Sequence, residues 1–136
     1  DYKGSLTKFV EVIEFGKTHP EARDVANLMK QSRRELVMPY ARAGTPAKAL
    51  EFFSRFAVDE AQSYDMLESL AELYYDTGQW PNTITVYQKL IAEQPSGHKV
   101  CYWQSRITNA IVSSSTCWAA PTALSALRQR LTPQRA

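Results

Sequence analysis

At 136 residues the chain has the length of one domain, and 44% hydrophobic with 22% charged residues is the balance of a folded globular protein, which excludes disorder. A net charge of +2 is too small for a strong nucleic-acid footprint. No apolar run approaches the roughly 18–20 residues that span a bilayer, and no signal peptide is visible ahead of Asp1, so the chain reads as a fragment or a processed product.

Apolar residues recur at three and four almost everywhere, and strand-like alternation is nearly absent. A first helix is predicted over about residues 5–18, with Leu6, Phe9, Val12 and Ile13 inward, ending before His19-Pro20. A second runs over about 21–43 and turns Val25, Leu28, Met29, Leu36, Val37 and Tyr40 inward, with Pro39 bending it. Gly44 is expected to close it in the left-handed conformation. Thr45 caps the third helix, about 46–58, with Pro46 at its first position and Ala49, Leu50, Phe53 and Phe56 inside.

The fourth helix, about 61–77, buries Leu67, Leu70, Ala71, Leu73 and Tyr74 and stops at Gly78. The fifth, about 81–94, opens at Pro81, buries Ile84, Tyr87, Leu90 and Ile91, and ends at Pro95. A sixth, about 97–112, puts Val100, Trp103, Ile107, Ala110 and Ile111 on one stripe. A polar loop, a short helix over about 121–131 with Leu124, Leu127 and Leu131, and a frayed tail follow. Residues 1–112 thus form one helical domain, and 113–136 a loop, capping helix and tail.

One motif occurs twice at an offset of 34 residues: Leu36, Tyr40, Gly44, Ala49 and Phe53 answer to Leu70, Tyr74, Gly78, Thr83 and Tyr87. A unit of this length signals a stacked helix-turn-helix array, a type that serves as a binding scaffold. Residues 64–97 resemble a tetratricopeptide repeat (TPR), through Leu67, Leu70-Ala71, Tyr74, Gly78, Trp80, Thr83, Tyr87 and Pro95. Residues 30–63 match less fully, with Ala61 where the closing proline belongs, and residues 5–20 look like the second helix of an earlier repeat. The segment YYDTGQWPNTITVYQKLIAEQP also resembles repeat proteins of bacterial envelope machines, including gliding-motility and outer-membrane assembly complexes. The resemblance implies an all-α, right-handed superhelical stack of about three antiparallel helix hairpins plus a C-terminal capping helix. It also implies residence in a bacterial periplasm, envelope or cytoplasm, without deciding which.

In that family the first helix of each hairpin lines a concave groove. The resemblance therefore implies groove positions Asp65, Glu68, Glu72, Tyr75 and Asp76 in one copy, and Gln31, Arg34, Met38, Ala41 and Arg42 in the other. Lys99, Tyr102, Arg106 and Asn109 on the sixth helix complete a wall that reads basic, acidic, basic. Two readings stay open. The charges form a solvated face or pair across the groove (Arg34 with Glu68, Glu72 with Arg106), contributing roughly 0–1 kcal/mol per pair. Alternatively they recognise a peptide, which brings a basic or aromatic group to Glu68, Glu72 and Tyr75. Glu68 and Glu72 would repel a C-terminal carboxylate, so the carboxylate clamp of some family members is not expected here.

Cys101 and Cys117 either close a disulfide in an oxidising compartment or are two separate buried thiols. His98 with Cys101 is too little for a metal site when the other histidine, His19, is distant. No nucleophile–base set, HExxH or phosphate-cradling glycine loop is present, so neither catalysis nor a cofactor is expected. The expected function is protein–protein interaction as an assembly module of a larger complex. The alternatives are self-association through the exposed end of the array, where Tyr102, Trp103 and Trp118 cluster, and RNA binding. RNA binding rests on scattered Lys30, Arg33, Arg34, Arg42, Arg128, Arg130 and Arg135, and the acidic ladder opposes it.

Overall fold

A computed structural model describes residues 1–114, and among them the chain is all-α, with no strand. The helices are α1 (Tyr2–Thr18), α2 (Val25–Glu35), α3 (Val37–Ala43), α4 (Ala49–Ser54), α5 (Glu60–Asp76), α6 (Trp80–Glu93) and α7 (residues 100–114). The expected helix over 121–131, Cys117 and Trp118 lie outside the described residues.

α1 starts where the Asp1 carboxylate accepts from the Lys3 amide, and it turns Ile13 and Gly16 inward. Gly16 sits at the α1–α2 contact: a Cβ on it would lie 2.3 Å from the Met29 Sδ, so a larger residue would make the Met29 side chain shift. The expected helix over 21–43 is two helices. It begins only at Val25, after Asp24 in a left-handed conformation (φ 61°), and it breaks at Leu36. Pro39 is the physical cause of the break, since it has no N–H for the Glu35 carbonyl one turn back. Leu36 keeps helical angles, and the Tyr40 N–H still reaches its carbonyl at 3.2 Å. The segment is therefore bent rather than ended. Leu28, expected inside, is 49% exposed, because the α1 contact uses the Val25–Met29 edge of α2.

Three further expectations are corrected from the next turn onward. Gly44 is extended (φ −90°, ψ 175°), not left-handed. What requires glycine there is the Tyr40 ring, which lies against it: an added Cβ would meet ring carbons at 2.5–2.6 Å. The Tyr40 hydroxyl then donates to the Thr45 carbonyl at 2.8 Å and holds the turn shut. Thr45 makes no side-chain cap, and Pro46–Lys48 form a single 3-10 turn before α4, which ends at Ser54 rather than near 58.

The α5–α6 hairpin follows the expectation closely. The Asp59 carboxylate caps α5 by accepting from the Gln62 amide at 2.7 Å. Gly78 (φ 71°) ends it, with Gly78 N–H bonded to the Tyr75 carbonyl and Gln79 N–H to the Tyr74 carbonyl, the paired closure that satisfies a helix's last carbonyls. Helix α6 starts at Trp80, one residue before Pro81.

The packing runs as a chain of neighbours. α1 lies on α2 and α3, α3 on α5, and α5 against both α4 and α6. One contiguous core threads through Ile13, Leu36, Phe53, Leu67, Leu70, Tyr74, Tyr87 and Trp103. Each large side chain buried there contributes about 1.5–3 kcal/mol against exposure. On α7 the predicted stripe holds at Trp103, Ile107 and Ala110, but Ile111 is 50% exposed. Cys101 is an exposed thiol, which corrects the reading of both cysteines as buried.

Candidate functional site

The expected groove positions fall on α2–α3, α5 and α7, and the structure brings most of them together. On α5, positions 68, 72 and 75 lie on one helical face toward α7, where 102 and 106 share the facing stripe and 99 sits in the turn just before it. Their side chains interlock. Lys99 Nζ lies 2.9 Å from Glu68 Oε2. Tyr102 donates its hydroxyl proton to Glu72 Oε1 at 2.7 Å, and the Arg106 guanidinium reaches Glu72 Oε2 at 3.3 Å. Arg106 Nε also donates to the Tyr102 hydroxyl oxygen at 2.9 Å, and its guanidinium lies 4.1 Å from the centre of the Tyr75 ring. Tyr75 in turn meets Trp80 edge-on at 5.6 Å.

Glu72 is the hub of this network, because the core residue Tyr87 also donates its hydroxyl to Glu72 Oε1. The electrostatics follow from that crowding. Burial, together with the hydrogen bond to Glu72, pushes the Tyr87 phenol far above its ordinary range. Tyr102 is raised for the same two reasons. For Arg106 burial works downward, but the bonds to Tyr102 and Tyr75 and the Glu72 charge outweigh it and strengthen its hold on the proton. The hydrogen bond to Glu68 raises Lys99. These contacts fasten α7 to α5.

The Glu72–Arg106 pair is therefore formed as expected, whereas Glu68 pairs with Lys99 rather than Arg34. Arg34 instead lines an open cavity of about 320 Å³ between α2–α3 and α5, which it shares with Lys30, Arg33, Asp65 and Met66. Met38 is 58% exposed. Arg42 lies 5.8 Å over the Tyr2 ring at the α1 end, apart from the α5–α7 network. Asp76 is exposed near the end of α5, and Gln31, Ala41 and Asn109 make no hydrogen bond into the network.

One residue of the site, Arg33, was read in the sequence only as part of a scattered positive charge and not among the groove positions. Arg33 is only 8% exposed, and its Nε donates to the Phe56 carbonyl at 2.6 Å. Position 33 belongs to the inward stripe of 33, 36, 37 and 40, so the spacing marked it as buried. Burial lowers the pKa of its guanidinium. A second, smaller cavity of about 150 Å³ lies where Lys99, Asp65 and Glu68 approach Trp103, whose indole N–H has no acceptor among the described residues.

Among the described residues, no cluster of three or more His, Cys, Asp or Glu is placed to hold a metal ion. No helix there is long and apolar enough to cross a membrane. The fold and site thus define an all-α chain of packed helices with a charged face built on α2–α3, α5 and α7. Comparison with family models, with curated proteins and with solved structures finds no significant match.

Proposed function

We propose that this chain is a non-enzymatic protein–protein interaction scaffold of tetratricopeptide type, holding a partner peptide on the face formed by α2–α3, α5 and α7. It serves as an assembly module of a larger complex. The observation that carries this reading is the set of bonds converging on Glu72 from Tyr87, Tyr102 and Arg106. They span α5, α6 and α7, so the face is held in one shape before any ligand arrives, and preorganisation cuts the entropic cost of binding. The open cavity beside it supplies room for side chains.

The test is capture of the partner from the native source, followed by affinity measurement on variants. Ser69→Trp, which fills the cavity, and Met38→Asp on the face are expected to weaken binding at least tenfold. Lys89→Glu on α6, already paired with Glu93 on an exposed surface, is expected to leave binding within about twofold. Equal affinity for all three variants would remove the groove from the account.

Self-association is the second reading. The apolar side chains left exposed on α1 and α2, Tyr2, Phe15 and Leu28, favour it. Sedimentation across a concentration series decides it, since a monomer at every concentration rules it out.

A further inference from the structure

We propose that the cavity between α2–α3 and α5 is an acceptor for carboxylate side chains, and that the partner on this face is an acidic peptide segment. This inference rests on the scaffold reading above and deepens it. It also reverses the partner chemistry that the sequence suggested, and the reason lies in how the charges are spent.

Two carboxylates of the acidic wall, Glu68 and Glu72, are already answered from within the chain, while Asp65 lines the cavity and Asp76 is exposed. Glu68 holds Lys99, and Glu72 holds Tyr87, Tyr102 and Arg106. A basic peptide arriving there has to displace intramolecular partners, and so gains little. The basic wall has no such answer. Arg33 is nine-tenths buried, and its one protein hydrogen bond, Nε to the Phe56 carbonyl, leaves it without a carboxylate partner among the described residues. A desolvated guanidinium without a counter-charge is costly to keep, and a bound carboxylate relieves that cost.

Lys30 and Arg34 line the same cavity, so three cations face one carboxylate, Asp65. Met66 and Val37 form an apolar floor suited to the methylene stem of a glutamate. Charge-assisted bonds of this kind, with a guanidinium donating to a carboxylate, are the stronger class of hydrogen bond. The cavity is open to solvent through the exposed Arg34 and Lys30, so a side chain can enter without any helix moving.

The experiment titrates the full chain with acetylated, amidated hexaglutamate, hexalysine and, separately, hexathymidylate, following amide shifts and affinity. Blocked peptide ends ensure that only side-chain carboxylates are read. Hexaglutamate is expected to shift the amides of Lys30, Arg33, Arg34 and Ser69. Arg34→Gln is expected to weaken it roughly tenfold, the loss of one charge-assisted contact. Arg55→Gln, an equal charge change outside the cavity, is expected to change affinity by no more than about twofold. Arg33→Gln is expected to weaken binding further. Should it unfold the chain, the exposed Arg34 variant still decides the matter.

Equal losses in Arg34→Gln and Arg55→Gln would reduce the effect to diffuse attraction and overturn the proposal. Tighter binding of hexathymidylate through the same residues overturns it in favour of a nucleic acid. Shifts only with hexalysine, at Asp65, Glu68 and Glu72, overturn the acidic partner and leave a peptide groove standing. Silence with every probe overturns it as well, and the scaffold reading then stands or falls on the capture experiment alone.

Discussion

Leu36, Tyr40, Ala49 and Phe53 have counterparts at Leu70, Tyr74, Thr83 and Tyr87; all eight side chains are buried, and the seven other than Thr83 share one hydrophobic core. The turns between them are nonetheless built differently. In the second copy Gly78 adopts a left-handed angle and closes α5 with two backbone bonds. In the first copy Gly44 is extended, and the Tyr40 side chain closes the turn by lying on the glycine and donating to the Thr45 carbonyl. The same pattern of residues thus specifies the same burial through two different local solutions. Side-chain packing, and not turn geometry, is what the repeated pattern conserves within this chain.

That comparison is broken most directly by truncating the shared core. Leu36→Ala and Leu70→Ala are each expected to cost about 2–5 kcal/mol in urea denaturation, because both sites are fully buried. If the two copies are equivalent in packing, the two losses agree to within about 1 kcal/mol. A much smaller loss for Leu36→Ala would mean that the bend at Pro39 lets the first copy collapse around the cavity.

High pH tests the buried phenols of both copies together. Burial raises Tyr40, and it raises Tyr74 to about 12, while Tyr87 is raised further by burial and Glu72. In the unfolded chain these groups ionise near pH 10. Above that pH the unfolded state sheds protons that the folded state keeps, so stability is full below about pH 10 and falls as pH rises toward 12. Each unit of upward shift amounts to about 1.4 kcal/mol. Lys99, raised by Glu68, acts in the same direction. Thermal melts between neutral and alkaline pH read this directly, and Tyr74→Phe is expected to flatten the alkaline limb.

The glycines sharpen the contrast. Gly78→Ala places a Cβ on a left-handed residue, with nothing nearer than 3.8 Å to obstruct it, and is expected to cost about 1–2 kcal/mol of backbone strain. Gly44→Ala has no such backbone strain, yet its Cβ would strike the Tyr40 ring. Overpacking of that kind costs about 1–3 kcal/mol. The discriminating measurement is the double variant with Tyr40→Ala. Removing the ring should erase the Gly44→Ala penalty and leave that of Gly78→Ala untouched.

What could be read from the sequence divides along the same line. The hairpin of α5 and α6 was legible because its signals are local: Gly78 and Pro81 at the turn, and apolar residues at helical spacing. The bend ahead of Pro39 was legible from the proline itself, but the extended Gly44 was not, since it depends on what the Tyr40 ring meets in three dimensions. The face followed the same rule. Helical spacing placed Glu68, Glu72 and Tyr75 together on α5, as it grouped Lys99, Tyr102 and Arg106 on the predicted sixth helix, of which Lys99 falls in the turn just before α7. Which charge answers which depends on how α7 lies on α5, so Lys99 took the place expected of Arg34. Arg33 was not among the groove positions for a chemical reason. A charged residue on an inward stripe is read as facing out unless its position in the stripe is weighed against its type.

The smallest expected effect isolates the hydroxyl on which the first turn depends. Tyr40 and Tyr74 are alike in burial, but only the Tyr40 hydroxyl has a protein acceptor among the described residues, the Thr45 carbonyl. Tyr40→Phe keeps the ring against Gly44 and deletes that bond alone, so it should cost about 0.5–1.5 kcal/mol. Tyr74→Phe deletes no such bond and should fall within about 0.5 kcal/mol of the parent at neutral pH. If the two variants proved equal, the hydroxyl would contribute nothing to the turn. The ring's contact with Gly44 would then be the whole of what replaces a left-handed closure.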